Sequence, residues 1–158
     1  MPVDVPARDV ISLEDAQNAF DAAEKELEAI RASGASEEDV RRGVSKVMRA
    51  NIQLSVARLS DLNAKDGHIE LTAQSMRIGE TVLVSIPVEP FVELAQAVKE
   101  RSGSANTVFS GFSNGHTNYL ATDIAFEEGG YEVSVSVFAP GSAELAIQAS
   151  VDAIDEVL

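Results

Sequence analysis

Three oxygen-bearing side chains occupy positions where a short chain can place chemistry: the carboxylate of Glu89 and the phenols of Tyr119 and Tyr131. Glu89 directly follows the apolar run Thr81–Ile86 and sits between Pro87 and Pro90, which stiffen its backbone. In α/β sheets ligands collect at strand ends. From position alone the same residue reads more simply as a surface carboxylate near the start of a helix, stabilised by the helix dipole. Tyr119 closes the loop Ser113-Asn114-Gly115-His116-Thr117-Asn118-Tyr119, whose density of hydrogen-bonding groups fits recognition, or else a self-satisfied turn with Tyr119 half-buried. His116 alone is most simply a solvated loop histidine. Tyr131, after Gly129-Gly130, is most simply a strand residue filling the core.

The elements that position these residues can be read from period and punctuation. The first ten residues, with Pro2 and Pro6, form an extended arm. Ser12 and Asp15 stand at capping-box spacing ahead of a helical stripe at Leu13, Ala16, Phe20, Ala23, Leu27 and Ile30. Gly34 ends that helix. Ser36 opens a second, with Glu37, Glu38 and Asp39 at its positive end and a stripe through Val40, Val44, Val47, Met48, Ile52, Val56 and Leu59. The short connection predicts an antiparallel hairpin over 12–62. Its stripe serves as core packing or as a coiled-coil partner face.

Beyond Asp66-Gly67 the period changes to two. His68–Ile78 and Thr81–Ile86 read as strands about a tight Gly79-Glu80 turn, the second buried on both faces. A helix follows over 91–101, then a strand at 107–112. Next come a short helix capped by Thr122 or Asp123, a strand over 131–138, and a last helix after Gly141 with a stripe at Leu145, Ala149, Val151, Ile154 and Leu158. This order predicts one α/β (or α+β) domain over 1–158. It has an N-terminal helical hairpin at 12–62 and a mixed sheet with flanking helices at 67–158.

Composition excludes several functions. Twelve basic against 26 acidic residues give a net charge of −14, which disfavours nucleic acid and anionic membrane surfaces as partners and fits a soluble acidic protein. No apolar run reaches the ~20 residues of a membrane span, and Met1–Val10 lacks the pattern of a signal peptide. With no cysteine and two histidines, disulfides are excluded and a self-contained zinc site would lean heavily on carboxylates. No phosphate-binding glycine loop, H-E-x-x-H or G-x-S-x-G occurs, so no autonomous hydrolase can be assembled.

Several segments taken in order resemble the neutral (non-lysosomal) ceramidase family, in the C-terminal part of its catalytic region. They are Met76-Arg77-Ile78-Gly79, Ile86-Pro87-Val88-Glu89-Pro90-Phe91, Gly111-Phe112-Ser113-Asn114, Tyr119-Leu120-Ala121-Thr122, Gly130-Tyr131-Glu132 and Phe138-Ala139-Pro140-Gly141. The resemblance covers 67–158. It implies a zinc amidase acting on the N-acyl bond of ceramide or a related amide, with Glu89 and Tyr119 at two metal-ligand positions. Tyr131 stands where the family places a tyrosine against the transition-state oxygen. Val88 replaces the family's usual glycine. The two histidine ligands belong to an N-terminal region that His68 and His116 do not supply.

The resemblance therefore implies half a site, inactive alone. Its zinc would need ligands from outside this chain, from an N-terminal ceramidase-like region in cis or in trans. It also implies an N-acylated lipid or amide substrate, in a family that is often secreted or membrane-associated. If Glu89 and Tyr119 share a metal, their oxygens must converge to ~3.3 Å, which requires side chains on one face of the sheet. The alternative is a non-catalytic interaction module that retains the scaffold.

Overall fold

A computed structural model describes all residues 1–158. The backbone contacts divide the chain into two compact units, Val10–Leu62 and the combination of Met1–Asp9 with Asn63–Leu158.

The first unit is a helical hairpin of α1 (Leu13–Ala32) and α2 (Glu37–Asn63). Ser12 caps α1 as its spacing predicts, its Oγ accepting from the Asp15 backbone N–H at 3.0 Å and donating to the Asp15 carboxylate at 2.7 Å. Ala16 near the start of α1 packs with Leu54 and Ala57 toward the end of α2, while Leu27 faces Gly43, so the helices run antiparallel. Of the expected α2 stripe Val56 is buried, Val40, Val44, Val47, Ile52 and Leu59 are half-buried, and Met48 is not part of the packed face. The buried positions are Gly43, Ala50, Leu54, Val56 and Ala57, and Met48 is exposed. Gly43, Ala50 and Ala57 recur every seventh residue, a seam of small side chains that lets the two backbones approach. A Cβ at Gly43 would come within 2.9 Å of Leu27 Cδ1.

The second unit begins with β1 (Pro2–Pro6), which is no free arm. It pairs antiparallel with β3 (His68–Thr72), Val5 opposite Ile69, and β3 pairs in turn with the short β2 (Ala64–Lys65). Val5 is fully buried. Prolines at both ends are tolerated because β1 lies at the sheet edge. The expected single strand from His68 to Ile78 is two. At Ala73 the chain leaves this sheet and continues as β4 (Gln74–Ile78) in another.

That second sheet is mixed, with order β4-β5-β7. β5 (Thr81–Ser85) runs antiparallel to β4 through the predicted Gly79-Glu80 turn, and β7 (Asn106–Ser110) runs parallel to β5. Between them α3 (Val92–Arg101) packs against β7 and against α6 (Ser142–Asp155), which also packs on β1, β4 and β5. Nine of the fourteen α6 residues are buried, four of them alanine, so α6 is the core element joining the two sheets. Its expected stripe is buried only in part, because Leu145 and Leu158 are exposed. The helices cover one face of the β4-β5-β7 sheet. Hence Val82 and Val84 are buried while Leu83 between them is 39% exposed, and the expectation of a strand buried on both faces is corrected.

The remaining elements frame the candidate residues. β6 (Glu89–Pro90) pairs parallel with β8 (Tyr119–Leu120). Then follow α4 (Asp123–Glu128), capped by Thr122, one of the two residues expected there, and α5 (Tyr131–Val135). The predicted strand over 131–138 is therefore wrong in its first half. Ser134 N–H bonds the Gly130 carbonyl at 3.1 Å and closes a helical turn, and the chain is extended again only where Phe138 bridges Ala7.

Candidate functional site

Glu89 and Tyr119 lie directly opposite each other in the parallel β6/β8 pair, and paired residues project to the same side. The Glu89 N–H donates to the Asn118 carbonyl at 2.9 Å and the Phe91 N–H to the Leu120 carbonyl at 3.1 Å. These bonds set the register that brings together two residues thirty positions apart. Both side chains are half-buried. Position 111 protects the approach of the chain to β6. A Cβ on Gly111 would meet Pro90 Cδ at 2.5 Å and the Val88 carbonyl oxygen at 3.0 Å, so only glycine fits without displacement.

Tyr131 does not fill the core as a strand residue would. It is 59% exposed at the start of α5, with its ring 6.4 Å from that of Tyr119 in an edge-to-face arrangement. Two long-range anchors hold α5 there. Arg8 donates to the Val133 carbonyl at 2.8 Å, and the buried Asn118 side-chain amide donates to the Val135 carbonyl at 2.7 Å. The other end of the same Asn118 amide accepts from the Tyr119 N–H at 2.6 Å. The fully buried Ser136 hydroxyl donates to the Tyr119 carbonyl at 2.9 Å. Asn118 adopts φ 130°, sterically unfavourable for a residue with a Cβ, and these side-chain bonds offset that strain. Asn118 and Ser136 thus fix Tyr119 relative to Tyr131. Sequence reading singled out neither for this role, although Asn118 stood in the polar loop it flagged.

The electrostatics couple the same residues. Partial burial raises the Tyr119 phenol above its ordinary value of 10.0. A hydrogen-bonding interaction with the Glu89 carboxylate adds to this, followed by the charges of Glu89 and Glu132 and by neighbouring Tyr131. At neutral pH the phenol therefore keeps its proton. Glu132 is a second carboxylate near the site that sequence reading left out. Its position beside Tyr131 was the available signal.

As a metal site the residues present are insufficient. Glu89 and Tyr119 offer two oxygens, one of them a protonated phenol, whereas zinc takes three or four protein ligands. No three histidine, cysteine, aspartate or glutamate side chains converge to hold a metal anywhere in the chain. The His68 ring nitrogen lies 3.0 Å from the Asp66 carbonyl, and the His116 ring sits 5.0 Å from that of Phe112. No helix is long and apolar enough to cross a membrane.

No family model and no curated protein matches the chain. Among solved structures, it is similar to neutral ceramidase from Pseudomonas aeruginosa, with 22% identity and a TM-score of 0.45. The likeness covers 58% of this chain, and the chain spans 16% of the length of that structure.

Proposed function

We propose that this chain is the C-terminal portion of a ceramidase-like amidase, contributing Glu89, Tyr119 and Tyr131 to a site whose other residues lie outside it. The observation that carries the reading is the register of β6 and β8. It sets Glu89 opposite Tyr119 and leaves the Tyr131 ring 6.4 Å away, so the three residues singled out by resemblance gather in one place. The substrate class is an N-acylated lipid or related amide. In this reading Glu89 and Tyr119 present oxygens on one side of the strand pair. The exposed Tyr131 phenol donates a hydrogen bond to the oxygen that gains charge as the acyl bond is attacked. The histidine-bearing region supplies the remaining zinc ligands, and bound zinc would provide an activated water.

The test is complementation. The chain is mixed with a neutral ceramidase truncated before its corresponding region, and release of fatty acid from ceramide is followed. Restored activity that is lost in Glu89→Gln and Tyr119→Phe supports the reading. No restoration with a correctly folded chain removes it. A second reading, a non-catalytic interaction module, draws on a different observation, the uncovered face of the β4-β5-β7 sheet.

A further inference from the structure

The register of the mixed sheet places nine side chains on the face opposite α3 and α6. Gln74, Met76 and Ile78 come from β4, Thr81, Leu83 and Ser85 from β5, and Asn106, Val108 and Ser110 from β7. Met76, Leu83 and Val108 align as one row across the three strands and are 60%, 39% and 46% exposed, with Ile78 beside them at 63%. The sheet is mixed, and four of the nine side chains on this open face, Met76, Ile78, Leu83 and Val108, are apolar. None of the nine residues is charged, in a chain where 24% of residues are. Depletion of charge in the middle of a surface is a mark of an interface core.

We propose that this face receives one amphipathic helix of a partner polypeptide, apolar toward the sheet and carrying Lys or Arg along its flanks. Area fits this occupant and charge selects it. Three strands ~4.8 Å apart and five residues long present a patch of roughly 14 by 17 Å. That is the footprint of a helix ~10 Å across and about eleven residues long. It falls well below the ~800 Å² per partner of a stable protein interface, so an occupant of this patch alone binds weakly, and charge rather than area separates a helix from a second copy. The unit around the patch carries sixteen acidic and five basic residues, with Glu80 in the turn at one end of the face. These surroundings favour basic flanks and oppose a second copy of a chain with net charge −14. The opposite end is closed by the loop after β7, where Asn114 bonds Gln74 and Ser113 bonds Ser110. The inference does not depend on the amidase reading, since no candidate site residue lies on this face.

The test uses the full chain and a labelled synthetic peptide of about fifteen residues, with a leucine–alanine face and lysine flanks, read by fluorescence anisotropy. Saturable binding is expected in the ~10 μM to ~1 mM range, as befits a small interface. A scrambled peptide of the same composition controls for bulk charge attraction. Leu83→Asn, which leaves the net charge unchanged, should weaken binding about tenfold or more. Met76→Gln at the exposed edge strand should weaken it to a lesser degree, and this variant decides the matter if Leu83→Asn fails to fold. Equal binding of the scrambled peptide, or affinity unchanged in the variants, overturns the proposal. Light scattering that shows a dimer dispersed by Met76→Gln overturns it in favour of a second copy.

Discussion

Replacing Asn118 with alanine should destabilise the α/β unit substantially while leaving the helical hairpin untouched. The side chain makes two bonds from a residue that is 9% exposed: it donates to the Val135 carbonyl at 2.7 Å and accepts from the Tyr119 N–H at 2.6 Å. Truncation leaves a carbonyl and an N–H without partners, at ~1–3 kcal/mol for each group that is fully buried. Tyr119 is half-buried, so water recovers part of its share and the expected loss is ~2–4 kcal/mol. Alanine also inherits φ 130° without the bonds that offset it, whereas glycine adopts that angle freely. The expected order of stability is therefore wild type, then Asn118→Gly, then Asn118→Ala. Urea unfolding followed by tyrosine emission is the appropriate assay, because the chain has no tryptophan and its two tyrosines, Tyr119 and Tyr131, both lie in this unit. With a urea slope of ~2 kcal/mol per molar, the midpoint of Asn118→Ala should fall by ~1–2 M at unchanged slope. A midpoint within ~0.3 M of wild type, or a glycine variant as stable as wild type, would refute the claim that these bonds anchor the site.

Gly111→Ala should cost ~1–3 kcal/mol in the same assay, because its Cβ would meet the Pro90 ring at 2.5 Å and the Val88 carbonyl at 3.0 Å. In a Tyr131→Phe background Tyr119 is the lone tyrosine, and its phenolate absorbance should rise with a midpoint above 10.0. Adding Glu89→Gln should bring that midpoint back only part of the way, since partial burial is the larger cause. A raised folded-state value means that the contribution of this group to stability is complete below pH 10.0 and is lost as pH climbs through the folded value, which a pH series of melts checks. Gly43→Val should loosen the hairpin, seen as lost helical circular dichroism, because its side chain would enter space held by Leu27 and Ile30. Asp4→Asn should raise the melting temperature modestly, because Asp4 faces Glu70 directly across the β1/β3 pair and like charges there repel.

Local chemistry was legible in the sequence wherever it settled the structure locally. The Ser12 cap, the Gly79-Glu80 turn and the Thr122 cap are short-range devices, and each holds where its residues predict. The errors arise where distant partners decide. Pro2–Pro6 is a strand because β3, more than sixty residues later, supplies its hydrogen bonds. Tyr131–Val135 alternates like a strand, yet its carbonyls at Val133 and Val135 are taken by the side chains of Arg8 and Asn118. Hydrophobicity marks an α2 stripe that includes both the buried Val56 and the exposed Met48, while the hairpin also selects for small size, so Gly43 and the alanines form the seam. At the candidate site the position of Glu89 after its strand was readable. That Tyr119 stands opposite it was not, because the pairing of two-residue strands leaves almost no periodic signal. The anchoring by Asn118 and Ser136 was hidden for the same reason.

The central claim is that Glu89 and Tyr119 act as a single half-site completed from outside the chain. Calorimetric titration of zinc tests it most directly, first on the chain alone and then with the histidine-bearing ceramidase region present. The account predicts no saturable tight binding by the chain alone. With that region present it predicts one zinc per assembled pair, abolished by Glu89→Ala in a variant whose tyrosine emission shows an intact fold. Tight zinc binding by the isolated chain, or binding by the pair that survives Glu89→Ala, would contradict it.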